Sequence, residues 1–449
     1  EFIAVYGRRR VGKTFLVRTL FEKDFAFHVT AVLGLDTQAH LSNFASALSE
    51  YGGREEDAPE NWPSAFRRLR ALLENANRKR KVVFIDEMPW LDTKGSGFVP
   101  ALENFWNGWA SAREDICLII CGSAASWIVK KLFQNRGGLH NRVTRRILLQ
   151  PFSLAECRRY FMQEGLPADE TNLLEAYMCV GGIPYYLSLL RAGNSLAQNI
   201  SRLCFSPGGA LREEFGNLYA SLFQNADRHI AVVYALGKKS KGLTREEIKK
   251  ATGLPEGGNF SAILSELEMS GFIRKYTPFS KKKKGSLYQL TDHYTLFYLA
   301  FIRGSQDNDD AFWQKTRETQ RFRTWRGYAF EQVCLSHIDQ IRRAVGVSGV
   351  ITCIASWRSE ESKPGAQIDL LIDRNDGAVT LCEMKYSDSD IAITKSLAAN
   401  LRNKRNAFAG ETGTTKAVQI AIVTPIGVKR SAYYDVAQTV VTMEDLTRD

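Results

Sequence analysis

Gly7-Arg8-Arg9-Arg10-Val11-Gly12-Lys13-Thr14 decides how this chain reads. The octapeptide has the spacing G-x-x-x-x-G-K-[ST], and it lies between a short apolar run, residues 2–6, and a segment of helical spacing, residues 14–21. Glycines in such a strand-to-helix turn let backbone amides wrap phosphate groups, and the positive end of the following helix favours an anion. Gly7, Arg8, Arg9, Arg10, Val11, Gly12, Lys13 and Thr14 are therefore the expected nucleotide-binding residues. Lys13 would reach the β- and γ-phosphates as a point charge, and Thr14 would hold Mg²⁺ through its hydroxyl.

A second apolar run, residues 81–85, ends in Asp86-Glu87. Asp86 is the expected metal residue. Glu87 is the expected general base, a task that needs a carboxylate within hydrogen-bond reach of the attacking water. A third run, residues 116–121, ends in Gly122-Ser123. There Ser123 would either sense the γ-phosphate or simply end a strand in a turn. The chain contains no Asn/Thr-Lys-x-Asp loop of the kind that guanine recognition usually needs, so ATP is the expected nucleotide. Strands alternating with helices over the first 150 residues imply an α/β fold, a parallel sheet covered by helices.

The 449 residues, 44% hydrophobic and 24% charged, have globular composition and room for roughly three or four domains. The longest apolar stretches, 116–121 and 296–302, fall far short of the roughly 20 residues a bilayer span requires, so no membrane association is expected. The N-terminal Phe2-Ile3-Ala4-Val5-Tyr6 reads as a core strand rather than a signal peptide. Eight scattered cysteines without a Cys-x-x-Cys pair suit reduced thiols and a cytoplasmic location. A net charge of +11 suits a polyanionic partner.

Beyond the first 150 residues, 154–225 read as mainly helical, broken by the turn Gly181-Gly182-Ile183-Pro184. Residues 227–305 read as a winged helix-turn-helix. Thr244 caps one helix and Gly253 ends it, 259–270 form a second, and strands 271–276 and 287–290 make a hairpin tipped by Lys281 to Lys284. Such a wing would contact DNA phosphates or serve as a protein contact. In the last segment, strands 367–372 and 379–385 are joined by a turn at 373–377. Asp369 lies on the first, and alternation puts Glu383 and Lys385 on one face of the second. Two carboxylates so arranged could share Mg²⁺ while the lysine orients or activates a water for phosphodiester attack. Upstream, Gly327 to Glu331 begins a helix whose Glu331 would complete the metal site.

The loop 7–14, with Ile85-Asp86-Glu87-Met88-Pro89-Trp90-Leu91, Cys121-Gly122-Ser123 and Gly181-Gly182-Ile183-Pro184-Tyr185-Tyr186-Leu187, resembles the archaeal-type ATPases, a branch of the AAA+/STAND class. That resemblance implies a helical lid after the core, and an arginine some 20 residues after the third strand that stabilises transition-state charge. Arg142 occupies a similar position, with Arg136, Arg145 and Arg146 as competitors and a solvated basic face as the alternative. The last segment resembles the PD-(D/E)xK nuclease fold, although Gln367 stands where many such nucleases have an acid and no proline precedes Asp369.

The expected domains are an ATPase core at 1–150, a helical lid at 151–226, the winged helix at 227–305 and a restriction-endonuclease-like α/β domain at 311–449. The expected function is an ATP-driven protein acting on DNA with a metal-dependent nuclease. Its alternative is a nucleotide-dependent switch whose degenerate nuclease fold and winged helix only bind DNA or a protein partner; the expected partners are DNA and either a protein or further copies of the chain.

Overall fold

The computed structural model describes residues 1–54, 57–134, 137–139, 141–223, 225–279, 286–305, 312–359 and 365–448. They form two compact units. One comprises Glu1–Pro151, Leu218–Ala226 and Ala262–Ser270, the other Phe152–Asn217, Asp227–Ser261 and Gly271–Asp449.

The first unit is built on five strands: β1 (Phe2–Tyr6), β2 (Phe25–Thr30), β3 (Lys81–Asp86), β4 (Ile116–Gly122) and β5 (Arg145–Leu148). Their order is β2-β3-β4-β1-β5, with every pair parallel. β3 and β4 are buried along their whole length. Successive residues of a strand point to opposite faces, so Val83 and Ile85 enter one apolar core while Val82 and Phe84 enter another. A strand covered on both faces has no polar side to show, which is why these segments read as unbroken apolar runs. Val17, from the helix Lys13–Phe21, covers one face, and Phe44, Trp62, Phe66 and Phe98 from three further helices cover the other. β5 is an exposed edge strand and β2 the opposite edge, and neither carries a periodicity that marks it in the sequence.

The second unit begins with the helices Leu154–Gln163, Glu170–Val180, Pro184–Ser188 and Leu196–Cys204, in line with the helical stretch read from the sequence. Gly181 has φ +67°, and a Cβ on Gly182 would stand 1.9 Å from the Phe152 carbonyl, so the turn between two of these helices needs its glycines. Next come the helix Ala226–Gly237, β6 (Leu243–Thr244), the helix Arg245–Thr252, β7 (Ile273–Tyr276) and β8 (Leu287–Leu290), while the helix Gly258–Met269 belongs from Ala262 onward to the first unit. The three strands form an antiparallel sheet in the order β6-β8-β7. Thr244 caps its helix in a reciprocal capping box with Glu247, and Gly253 ends it at φ +68°. Lys281 to Lys284 lie outside the described residues.

The rest of the unit carries the helix Gln320–Ser336, β9 (Thr352–Arg358), β10 (Gln367–Arg374), β11 (Ala378–Met384), β12 (Ile391–Ala392), the helix Lys395–Thr412, β13 (Ala417–Val423), β14 (Val428–Lys429) and β15 (Thr439–Val441). Five of these strands make a mixed sheet, β15-β13-β11-β10-β9. β9, β10 and β11 form an antiparallel meander, and the crossover helix Lys395–Thr412 returns the chain so that β13 pairs parallel with β11.

The helix bearing Glu331 differs from the expectation. It starts at Gln320, capped by Thr319, whose side chain accepts from Phe322 N at 3.3 Å, and Gly327 is interior. Burial of Phe322, Trp325, Phe330 and Val333 outweighs the roughly 1 kcal/mol that an interior glycine costs.

Candidate functional site

Because β4 lies between β1 and β3 and all three run parallel, their carboxyl ends deliver the loop 7–14, Asp86-Glu87 and Ser123 to one edge of the sheet. The loop is tight. Gly7 and Gly12 have φ of +143° and +89°, and Arg10 adopts φ +74° as a non-glycine residue. Lys13 is buried, and its ammonium lies inside the turn, donating to Gly7 O at 3.1 Å and Arg8 O at 2.8 Å. Burial pulls the Lys13 pKa below its ordinary value, opposed by the nearby Glu87 and Asp86 carboxylates.

Thr14 Oγ1 donates to Asp86 Oδ2 at 2.8 Å, and Glu87 N donates to Asp86 Oδ1 at 2.9 Å. Asp86 is 3% exposed, and burial raises its pKa despite the Thr14 hydrogen bond. Glu87 follows in the left-handed region, at φ +49° and ψ +36°, a conformation costly for a residue with a side chain and commonest where function requires it. Its carboxylate accepts from Ser123 N at 3.0 Å and lies 2.6 Å from Ser123 Oγ. Pro89 seats this loop on the end of β4: a Cβ at Gly122 would meet Pro89 Cδ at 2.7 Å, so only glycine leaves room. Ser123 therefore reaches Glu87. Sequence reading paired neither these two residues nor Pro89 with Gly122, since both contacts join segments more than 30 residues apart.

Of the arginines after β4, Arg142 is exposed in a turn closed by its own N–H to Leu139 O at 3.1 Å. Arg145 and Arg146 sit on the exposed edge strand β5, with Arg146 over the Phe133 ring at 4.4 Å, and Arg136 lies outside the described residues.

A second constellation lies in the other unit. Glu331, Asp369 and Glu383 line one open cavity of about 1590 Å³. Asp369 falls in a register shift of β10 against β9, between Ile368 and Leu371, an irregularity of the kind that re-aims side chains. Burial, then the neighbouring Asp369 and Glu383 charges, pushes the Glu331 pKa up to about 8. Glu383 is ion-paired with Lys404 Nζ at 2.6 Å, and Asp369 Oδ1 accepts from Gln367 Nε2 at 2.5 Å. Among the described residues, no three His, Cys, Asp or Glu side chains converge on a point where a metal ion would be held. Lys385 is exposed just past the end of β11 and, with Glu383 and Lys404, lines a smaller neighbouring cavity. Sequence reading missed Lys404, which arrives from the crossover helix, and Arg274 on β7, which interacts electrostatically with Asp369 and Glu331.

No helix among the described residues is long and apolar enough to cross a membrane. Over 411 residues the chain is 25% identical to an uncharacterized protein of Methanocaldococcus jannaschii, an alignment spanning 90% of this chain and 87% of that one. Among solved structures, a Walker-type ATPase of Pyrococcus abyssi is similar with a TM-score of 0.47 and 19% identity, over 66% of this chain and 90% of that one. The ORC2 protein of Aeropyrum pernix is similar with a TM-score of 0.32 and 14% identity, over 71% and 88%. Residues 1–190 match the model of a family described as an ATPase domain predominantly from Archaea. The matched residues, which carry the parallel sheet and the phosphate-loop sequence, are thus similar to an archaeal-type P-loop ATPase domain.

Proposed function

We propose that the protein binds and hydrolyses ATP in its first unit and acts on DNA through the remainder of the chain. The observation that carries the first half is the meeting of Lys13, Thr14, Asp86, Glu87 and Ser123 at one sheet edge. The loop 7–14 would cradle the triphosphate, with Lys13 against the β- and γ-phosphates. Thr14 Oγ1 and Asp86 Oδ2, hard oxygens 2.8 Å apart, fit Mg²⁺. Magnesium there would neutralise charge on the phosphate oxygens. Glu87 would take a proton from the water that attacks the γ-phosphorus while the bond to the β–γ bridging oxygen breaks, releasing ADP and phosphate. Ser123 acts through Glu87 as a positioning residue, because both of its hydrogen-bonding groups engage that carboxylate.

For the second half, the order helix, antiparallel meander, crossover helix and parallel strand supports a restriction-endonuclease-like fold with Glu331, Asp369 and Glu383 round its cavity. The order of helices and hairpin from 227 to 305 supports a winged helix-turn-helix. Three carboxylates are the right chemistry for a hard divalent cation. Their geometry is not yet that of a metal site, since Lys404 occupies Glu383 and Gln367 engages Asp369. The same ion pair favours a second reading, a nucleotide-dependent switch whose C-terminal fold binds DNA or a protein partner without cutting.

Wild type, Lys13→Ala, Glu87→Gln and Glu383→Ala, compared for ATP turnover and for plasmid cleavage with Mg²⁺, separate these readings. ATP turnover is expected to fall at least ~100-fold in the first two variants, and cleavage to be lost in Glu383→Ala alone with turnover intact. Turnover without cleavage in wild type would select the switch, and equal turnover in all four would end the ATPase assignment of these residues.

A further inference from the structure

The 1590 Å³ cavity lined by the carboxylates is lined also by basic residues of the three-stranded module and of the turn before it. Arg274 on β7 donates through Nε to Gln289 Oε1 at 3.0 Å, and its Nη2 approaches the same oxygen. Gln289, on β8, is itself fixed: its Nε2 donates to Ser240 O at 2.5 Å. Ser240 belongs to the turn Lys238-Lys239-Ser240-Lys241-Gly242, which is fastened at two more points. Tyr276 Oη donates to Lys241 O at 2.7 Å, and Gly242, at φ +79°, lies so close to β8 that a Cβ would stand 2.6 Å from Tyr288 O.

With the backbone of the turn held in this way, its lysine side chains are exposed at the cavity lip. Lys239 is paired with Glu247 at 3.7 Å, and Lys241 is near enough to Glu331 to influence its charge. Ordinary small-molecule pockets measure about 300–1,000 Å³. A larger open groove lined by both cations and carboxylates suits a polymer whose phosphates are gripped at intervals.

We infer that the three-stranded module, with the turn before it, supplies the phosphate-binding part of the C-terminal site, with Arg274, Lys238 and Lys241 holding the phosphodiester backbone of a nucleic-acid strand in the cavity that Glu331, Asp369 and Glu383 also line. This rests on the reading of the last segment as a DNA-acting fold. In the sequence the turn lies between recognisable helix and strand signals, so no spacing marks its side chains. Their position follows from Gln289 and Tyr276, which hold the turn against the sheet.

The test uses the full chain in EDTA with a fluorescein-labelled 30-base-pair DNA duplex, or a single strand of the same sequence, and reads Kd by anisotropy from 50 to 200 mM NaCl. Lys241→Gln and Arg274→Gln are each expected to weaken binding about 3- to 10-fold at low salt and to lower the slope of log K against log salt by about 0.7–0.9, one phosphate contact. Arg274→Lys keeps the charge and should keep the slope that Arg274→Gln lowers, whereas a role only through the Gln289 hydrogen bond would leave the slope equal in both variants. Lys241 is exposed, so Lys241→Gln tests the inference even if Arg274→Gln fails to fold. Wild-type affinity and slope in both glutamine variants, for duplex and single strand alike, would overturn the inference. Weakened binding in those variants, together with no plasmid cleavage by wild type in Mg²⁺, would leave the phosphate groove standing and remove only the nuclease reading.

Discussion

Gly7→Ala tests whether the phosphate loop is held by close contact with the chain that follows β5. A methyl group at residue 7 would lie 2.3 Å from Leu149 O and 3.2 Å from Leu149 C. Leu149 has little freedom to retreat, because its N–H donates to Tyr6 O at 2.8 Å and ties it to the end of β1. The backbone at φ +143° adds strain for any L side chain, about 1–3 kcal/mol. Overpacking against backbone adds a further ~1–3 kcal/mol. The expected loss is therefore about 2–6 kcal/mol if the loop stays in place. If the loop moves instead, Gly7 O leaves Lys13 Nζ, now 3.1 Å away, and nucleotide binding suffers.

Gly12→Ala is the control. Its φ of +89° is also left-handed, but nothing lies within 4 Å of the added carbon, so only the backbone cost of ~1–2 kcal/mol applies. Urea unfolding followed by tryptophan fluorescence, with ATP binding by calorimetry, compares the two. Gly7→Ala should unfold at clearly lower urea than Gly12→Ala. Equal midpoints, with wild-type ATP affinity in Gly7→Ala, would refute the claim that contact with Leu149 sets the loop.

Asp115 receives Arg113 Nε and Nη2 at 2.8 Å and Lys81 Nζ at 3.0 Å, and these partners, Arg113 first, hold its carboxyl well below the usual carboxylate range. A depressed folded pKa gives stability that is present above the unfolded value near 3.9 and is lost as pH falls through the folded one. Asp115→Asn leaves the buried Lys81 with a weaker partner and should cost about 1–3 kcal/mol at pH 7, discounted from a fully buried pair because Asp115 is a quarter exposed. The gap to wild type should narrow in unfolding titrations below pH 4.

In the second unit, His337 Nε2 accepts from Leu154 N at 3.0 Å, so Nδ1 carries the proton donated to Val333 O at 2.8 Å. Burial keeps the ring neutral by lowering its pKa from 6.5. The stability that this neutral ring confers is therefore full above about pH 6.5 and declines on acidification towards the folded value. Unfolding free energies measured between pH 5 and 7.5 should show a steeper acid loss in wild type than in His337→Gln.

What the sequence determined by itself was local. The loop 7–14, the run ending in Asp86-Glu87 and the Thr244 cap are each specified within a few consecutive residues, because backbone conformation, strand burial and capping depend on near neighbours. The meander residues Asp369 and Glu383 were legible for the same reason, whereas β2, β5 and the true start of the helix bearing Glu331 were not. A glycine in the helix interior and an exposed edge strand give weak local signals that burial elsewhere overrides.

The tertiary structure alone decided which distant groups meet. Strand order sets Ser123 against Glu87, and the crossover helix carries Lys404 to Glu383. The three-stranded module, in turn, sets Arg274 beside Asp369 and Glu331. Such pairings depend on the folding back of segments tens of residues apart. No periodicity encodes them, because a hydrogen bond or an ion pair is set by distance in space and leaves no trace in spacing along the chain.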